Sequence, residues 1–297
     1  MTSPTPPTSP FLSNTSTVAV PGRTLTVYTA GPAASPDVIL LESGLGQGAA
    51  YWGGVVEAIT AAAPELRVVG YDRAGYGVSS PPTDSRTLHD LAADLGAVVD
   101  SLGASRLVLV AHSWGGPIVR TYAASAPSPH GIVLVDHSDE GCAAYFWRSM
   151  GWAFWLQAWL YTPLSYLGVL RYAMRRMGDG IPEPYFSAAL ASSTSPTAAR
   201  AGALEVSHVQ SDLRGLLDNP PAIGDTPLVV ISAADTAANT PGSMRELLIA
   251  AHKRTAAAAK NGTFVVAEKS GHIVPASEPG LIAGHAVGLF RGRPNAE

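Results

Sequence analysis

Cysteine is almost absent from this sequence, since Cys142 is the only one among 297 residues. A single cysteine cannot form a disulfide within the chain or a cysteine-based metal site. This excludes a disulfide-framed secreted module and a zinc ribbon, and we expect no bound metal and no cofactor.

Charge is also scarce. Only 14% of the residues are charged, and 19 Lys and Arg against 23 Asp and Glu leave a formal net charge of -4. A nucleic-acid-binding domain needs a basic surface, which this composition does not supply. We therefore expect no nucleic-acid partner.

The first ten residues, MTSPTPPTSP, lack the basic start and apolar core of a secretory signal. Their Pro, Ser and Thr content is typical of disorder. We interpret residues 1–15 as a disordered leader and expect a cytoplasmic protein.

What is present is an alternation of short β-branched apolar runs with longer Ala- and Leu-rich stretches, which predicts an α/β fold. The strand candidates are residues 16–20, 24–30, 37–42, 66–72, 106–111, 131–136, 227–231 and 263–267. The middle runs are apolar throughout, as in parallel strands buried on both faces. Helices predicted near 51–62, 87–102 and 114–126 are long enough for right-handed crossovers.

The alternation stops after the sixth strand for about 90 residues, and this insertion begins with an aromatic-rich segment. Residues 149–170 contain no charge, so a transmembrane helix must be considered. Pro163 and Gln157 interrupt that run, and the sheet resumes afterwards, so we expect no membrane contact. We predict a helical cap over residues 137–225, with Trp147, Trp152 and Trp155 lining an apolar cavity. Residues 16–136 and 226–297 are predicted to form the α/β core.

A serine stands between the fifth strand and the following helix, in the run AHSWGG. Small residues on either side permit a sharp turn that lifts the Ser113 hydroxyl clear of the backbone. This pattern predicts a nucleophile, and a tight helix–sheet packing point is the alternative.

A nucleophilic serine needs a base, and His272 has the right place, after the last strand and before a final helix in SGHIVP. The other histidines lie in helical stretches or lack such loop punctuation. We expect them to serve packing or the surface.

The oxyanion of an acyl-transfer intermediate needs two N–H donors. The loop SGLGQG at 43–48 follows the third strand and meets the same sheet edge. We expect the backbone N–H groups of Leu45 and Trp114 to be these donors, with Gly44 contacting the substrate. A dinucleotide loop is disfavoured because the glycine spacing does not match G-x-G-x-x-G.

Together these motifs resemble the α/β-hydrolase superfamily over residues 16–292, in its serine-nucleophile, lid-bearing branch. LLESGLG resembles the family's oxyanion loop, DRAGYGVS its D-x-R-G-x-G-x-S signature, AHSWGG its elbow and SGHIVP its histidine loop. The resemblance implies an eight-stranded, mostly parallel sheet flanked by helices, with a helical lid inserted after strand 6. It also suggests that Asp72 and Arg73 organise their loop rather than take part in chemistry.

The acid that orients His272 has two candidates at the ends of different strands. Asp235 follows the strand after which most family members carry this residue, but its spacing is imperfect. Asp136 ends the sixth strand, where some branches of the family place the acid, although an aspartate there can also serve only as a cap. We favour Asp136 and keep Asp235 open.

The family resemblance narrows the reaction, since members that open epoxides or displace halide carry a carboxylate at the elbow, not a serine. We expect a carboxylesterase- or lactonase-like enzyme (class EC 3.1.1) acting on a small hydrophobic ester or lactone, with Ser113 as nucleophile and His272 as general base. A non-catalytic hydrolase-fold ligand receptor, a cofactor-free haloperoxidase and a C–C bond hydrolase remain alternatives. The natural substrate and the oligomeric state stay open.

Overall fold

The computed structural model describes residues 9–177, 180–234 and 242–292. Its strands are β1 (Thr15–Val20), β2 (Arg23–Ala30), β3 (Asp37–Glu42), β4 (Arg67–Asp72), β5 (Arg106–His112), β6 (Gly131–Val135), β7 (Leu228–Ala233) and β8 (Gly262–Ala267). They form one eight-stranded sheet in the order β1-β2-β4-β3-β5-β6-β7-β8. The predicted fold class is confirmed.

Pairing is parallel from β4 through β8, whereas β1 and β2 are antiparallel to their neighbours. All residues of β6 and β7 are buried. These strands are covered on both faces, which explains their uninterrupted apolar sequences.

Helices cover both faces of the sheet. The helices outside the insertion are α1 (Pro10–Ser13), α2 (Gly53–Ala62), α3 (Leu88–Leu102), α4 (Gly115–Ser125), α9 (Gly242–Ala258), α10 (Val274–Ser277) and α11 (Pro279–Phe290). One hydrophobic cluster joins the sheet to α3, α4 and α9, and a second joins it to α2 and α11. Parallel strands connected by helices bring the carboxyl ends of the strands to one edge, where Ser113 and Asp136 follow β5 and β6.

The segment between β6 and β7 is helical, and we call it the cap. It contains α5 (Arg148–Tyr166), α6 (Val169–Met177), α7 (Tyr185–Ser193) and α8 (Pro196–Asp218). The long helices α5 and α8 pack side by side. No helix in the described ranges is long and apolar enough to cross a bilayer.

The N-terminal segment differs from the expected leader. Residues 10–13 form α1, β1 already begins at Thr15, and the Phe11 ring is buried at 1% exposure. The Ser9 hydroxyl donates to the Tyr185 hydroxyl at 2.7 Å. The buried Phe11 ring and the Ser9 hydroxyl hold this segment against the rest of the chain, which its proline-rich composition did not indicate.

Candidate active site

The chain turns sharply at Ser113, between β5 and α4. Ser113 has a φ of +53°, a left-handed conformation that costs energy for any residue with a side chain. A Cβ on Gly115 would lie 2.6 Å from the carbonyl oxygen of Glu42, and one on Gly116 would lie 2.4 Å from His137 Cβ. Close packing therefore demands the two glycines that follow the Ser113-Trp114 pair.

Three side chains predicted from separate parts of the sequence meet at this edge of the sheet. His272, in the loop between β8 and α10, places Nε2 at 3.1 Å from Ser113 Oγ. Its Nδ1 lies 2.7 Å from Asp136 Oδ2. The hydroxyl, imidazole and carboxylate thus form one continuous hydrogen-bonded chain.

Asp136 immediately follows β6 and also has a positive φ, of +39°. Its Oδ1 accepts hydrogen bonds from the Ala233 backbone N–H at 3.0 Å and from Arg245 Nη1 at 2.7 Å. Each oxygen of this fully buried carboxylate is therefore held by a donor. Asp235, the other sequence candidate, lies outside the described residues.

The environment of Asp136 favours its ionised form. Burial raises the pKa of this carboxyl, but the hydrogen bond and charge of His272, together with the charges of His252 and Arg245, outweigh burial. The pKa of Asp136 lies well below its usual range, so the group is a carboxylate at neutral pH.

Sequence reasoning assigned no role to His112, which turns out to support the His272 loop. Its Nε2 lies 2.8 Å from the His272 carbonyl oxygen, so this nitrogen is the donor. Burial, followed by the nearby His272, lowers the pKa of His112 to about 3. A neutral His112 ties the end of β5 to the loop that carries His272.

The glycine-rich loop after β3 lies against the serine. A Cβ on Gly44 would be 3.1 Å from Ser113 Cβ, so a side chain at this position would crowd Ser113. The Gln47 side-chain oxygen accepts the Gly44 N–H at 3.2 Å and holds the loop in place. Leu45 and Trp114 directly follow Gly44 and Ser113, so both backbones flank the serine.

Arg73 holds the backbone of this glycine-rich loop, whereas the sequence had suggested that it organises its own loop. Its guanidinium donates to the carbonyl oxygens of Ser43 at 2.7 Å and Gly44 at 2.8 Å. It also forms ion pairs with Glu42 at 2.6 Å and with Glu205 of α8 at 2.9 Å. The ion pair with Glu205 links the loop to the cap.

Arg86 reinforces that link, because it also pairs with Glu205. Burial raises the pKa of Glu205, but the charges of Arg73 and Arg86 lower it below its usual value. The sequence contained no local signal for this cluster, because its members lie 119 and 132 residues apart.

A small cavity of about 80 Å³ opens beside the site, under the cap. Most of its lining is apolar, and the residues come from the glycine-loop region, from α6 and α7, and from the position after His272: Gln47, Tyr51, Met174, Ile181, Phe186, Ala189, Leu190, Ser193 and Ile273. Sequence reasoning assigned no role to these side chains, although Gln47 lies within the glycine motif and Tyr51 three residues after it.

The three tryptophans expected in this cavity lie elsewhere. Trp147, Trp152 and Trp155 line an open groove on the outside of the cap, together with Arg148 and Arg214. All three rings are exposed, at 39%, 66% and 53%. The expectation took the apolar side of α5 to face inward, whereas the helix packs on α8 through its less aromatic side.

One group among the described residues has side chains suited to a metal: His137, Asp139 and His252. Both ring nitrogens of His252 already have partners, the Ser232 hydroxyl and the His137 carbonyl oxygen, each at 2.8 Å. An ion would have to displace one of these hydrogen bonds, so we assign no metal here.

Comparison with known proteins agrees with this architecture. A family model described as the alpha/beta hydrolase fold matches residues 37–175. A Caulobacter segnis protein named for carbamate hydrolysis, RutD, is 36% identical over 106 residues, which are 35% of this chain and 39% of that protein. Epoxide hydrolase A of Mycobacterium tuberculosis is 36% identical over 100 residues, 33% of this chain and 30% of that protein. The matched part of this chain thus spans less than half of either relative.

Solved structures align over nearly the whole chain. The epoxide hydrolase CorEH superimposes with a TM-score of 0.73 at 17% identity, covering 94% of this chain and 99% of that one. A hydrolase from Pseudomonas aeruginosa gives a TM-score of 0.65 at 24% identity, covering 95% and 99%. At these identities the likeness concerns the fold. The sheet order and the strained serine turn agree with the family match over residues 37–175, and the chain has the α/β-hydrolase fold.

Proposed function

We propose that this protein is a serine hydrolase that cleaves a hydrophobic carboxylic ester or lactone through an acyl-enzyme on Ser113. The observation that carries the proposal is the unbroken chain from Ser113 Oγ through His272 to Asp136, with separations of 3.1 and 2.7 Å. A surface serine has no reason to meet a histidine and a buried carboxylate in this order.

The geometry supports the following steps. Ser113 Oγ attacks the substrate carbonyl carbon while His272 Nε2 accepts its proton, and the Asp136 carboxylate stabilises the imidazolium through Nδ1–H. The C–O bond then breaks, and His272 protonates the leaving alkoxide oxygen. Water hydrolyses the acyl-enzyme by the same proton transfers in the deacylation half of the cycle, releasing the acid and restoring the serine.

The tetrahedral intermediates carry an oxyanion, for which we propose the N–H groups of Leu45 and Trp114. Arg73 draws the Gly44 carbonyl to one side of the loop. Because the peptide is trans, the Leu45 N–H points to the opposite side. A donor held in this way needs no reorganisation as charge develops.

The serine itself argues against epoxide opening, despite the epoxide hydrolases among the similar proteins. Attack of a serine hydroxyl on an epoxide carbon would give an alkyl ether. An ether has no carbonyl group for water to attack, so the enzyme would be trapped after one turnover. Attack on an ester, lactone or carbamate gives a carbonyl-bearing intermediate that water releases.

The cavity favours a short apolar acyl group. A group the size of a water molecule takes up about 15 Å³ of cavity volume. The cavity of about 80 Å³ therefore admits roughly five such groups. Met174, Phe186 and Leu190 give the cavity its apolar character. We therefore propose acyl chains of about four carbons as the preferred length.

The test is labelling with a fluorophosphonate probe and mass spectrometry of the modified peptide, followed by turnover of p-nitrophenyl acetate, butyrate and octanoate, a lactone and an aryl carbamate. We expect the label on Ser113 and the highest kcat/KM with butyrate. The carbamate is included because of the segment shared with the Caulobacter protein.

Two variants make the test decisive. Ser113→Ala should abolish labelling and lower kcat by about 10³-fold or more. Ser207→Ala, on the exposed side of α8, should behave as the unmodified protein. Labelling that survives Ser113→Ala, or no turnover of any substrate by a folded and labelled protein, would contradict the proposal.

A further inference from the structure

The outer face of the cap concentrates the exposed apolar surface of the described residues. Thirteen large hydrophobic side chains are exposed among the described residues, and ten of them lie in the segment from Trp147 to Tyr172. Three of them, Trp152, Trp155 and Trp159, follow the helical spacing of one face of α5, and their rings are in contact. These three rings therefore form one continuous patch, not a scatter of single residues.

The helix α5 is apolar on both sides, yet none of its nineteen residues is buried. Phe154 and Ala158 pack partly against the core cluster. Leu156 and Leu160 continue the outward face of the tryptophans. A helix that is apolar all round is normally covered by protein or lipid, so this outer face lacks its partner in the single chain.

The charges around this face have one sign. From residue 141 to 177 the chain has four arginines, at 148, 171, 175 and 176, and no aspartate or glutamate, whereas the whole chain has a net charge of -4. All four arginines are exposed. An anionic surface is therefore the complementary partner.

The two signals also meet in space. The open groove on the cap, about 640 Å³, brings Trp147, Trp152 and Trp155 together with Arg148 and Arg214. Aromatic rings with an apolar body and a polar edge, beside arginines, are typical of proteins that lie in the headgroup region of a bilayer.

We propose that the outer face of α5 and α6 binds the surface of an anionic phospholipid bilayer, with the helices lying in the plane of the interface rather than crossing it. The expectation from the sequence was no membrane contact. A second copy of the chain is the poorer partner, because it would bring one acid-free, arginine-rich face against another. Lipid headgroups supply the negative charge, and the acyl region accepts the tryptophan rings.

The position of α6 gives this binding a functional consequence. Met174 lines the cavity beside His272, while Arg171, Tyr172 and Arg175 on the same helix are exposed. A single helix therefore separates the cavity from the proposed lipid surface. An apolar substrate dissolved in the bilayer would have to pass only this helix.

The experiment measures binding of the full chain to vesicles of phosphatidylcholine with 30% phosphatidylglycerol, and to vesicles of phosphatidylcholine alone, by flotation. We expect binding to the anionic vesicles, reduced by salt. Brominated lipids should quench the tryptophan fluorescence, because four of the six tryptophans lie in the cap while Trp52 and Trp114 are buried.

Two pairs of variants assign the binding to this face. The double variant Trp155→Gln/Trp159→Gln should lower vesicle partitioning by about tenfold or more, whereas Leu217→Gln/Val266→Gln, at exposed positions elsewhere, should not. Arg175→Gln/Arg176→Gln should remove most of the preference for phosphatidylglycerol. The control of equal charge, Arg200→Gln/Lys260→Gln, replaces exposed cations elsewhere and should retain it.

Soluble-ester turnover of each variant shows that it is folded, since none of these residues touches the site. The proposal is overturned if the protein does not float with anionic vesicles, or if the tryptophan pair and its control bind equally. It is also overturned if light scattering shows a dimer that Trp155→Gln/Trp159→Gln converts to a monomer, because the face would then be a subunit interface.

Discussion

The edge of the sheet that carries Ser113, Asp136 and His272 and the outer face of the cap are opposites in how their side chains are held. At the edge, both oxygens of the Asp136 carboxylate have donors, and the Arg73 guanidinium reaches two carbonyl oxygens and two carboxylates. On the cap, α5 contributes no buried residue and its tryptophans face outward.

The two regions therefore differ in how strictly the surrounding structure constrains their side chains. Buried charges are tolerated only when every partner is in place, so the edge is rigid by necessity. An exposed apolar face imposes no such condition within the chain. Substitutions should therefore be costly at the edge and mild on the cap.

The largest effect at this edge is expected from Asp136→Asn, which should lower kcat. Without the carboxylate, His272 loses both its orientation and the charge that stabilises its protonated form, so kcat on p-nitrophenyl butyrate should fall by about 10³- to 10⁴-fold. Stopped-flow or steady-state kinetics measure this. Asp235→Asn should keep most of its kcat, and the reverse result would assign the acid to Asp235.

Replacing Arg73 should lower the stability of the folded protein. Arg73→Met leaves Glu42 buried without this ion pair and cuts one link to Glu205, so the free energy of unfolding should fall by about 3–5 kcal/mol. Urea denaturation followed by circular dichroism measures it. Arg200→Met removes an exposed ion pair with Asp84 and should change little, and equal losses in both variants would refute the contrast.

We expect the free energy of unfolding to fall gradually as the pH is lowered. Burial lowers the pKa of His112 to about 3 and that of His252 to about 4. Between pH 6.5 and about 4 the unfolded chain takes up protons on both groups and the folded chain does not, so stability falls as the pH drops. Each histidine should contribute about 1.4 kcal/mol per pH unit once the pH is well below 6.5.

Urea denaturation at pH 7, 6 and 5 measures this slope, and His252→Gln should reduce it by about half. Asp136, with its lowered pKa, contributes stability that is lost only at more acidic pH, below about 4, outside this window. An unchanged slope in His252→Gln would show that the buried ring does not resist protonation.

The smallest effects are expected on the outer cap. Trp152→Ala and Trp155→Ala should change kcat/KM on soluble esters by less than about twofold, because neither ring lines the cavity. Phe186→Ala enlarges that cavity and should raise the octanoate-to-acetate ratio of kcat/KM by about tenfold. If the tryptophan variants shift this ratio as much as Phe186→Ala does, the claim that only the inner side of the cap contacts the substrate is wrong.

Much of the fold could be predicted because its signals are local. The fifth strand was predicted at 106–111 and extends over Arg106–His112, and the helix predicted at 114–126 is Gly115–Ser125. Continuous apolar runs and glycine positions carry this information within a few residues. The Ser9–Tyr185 hydrogen bond that holds the N-terminal segment and the Arg73–Glu205 link have no local signal, because each depends on a partner more than a hundred residues away.

Sequence patterns alone indicated a mostly parallel α/β sheet, a strand–turn–helix setting for Ser113 and a position for His272 after the last strand, since each depends on neighbours within a few positions. They favoured Asp136 as the acid but kept Asp235 open, and they predicted that the cap tryptophans face inward. Only the tertiary structure brought Asp136 to 2.7 Å from His272 and turned the tryptophans outward. The reason is physical: a sequence pattern states that a residue is charged or that a helix is apolar, whereas the packing of distant segments decides what each side chain meets.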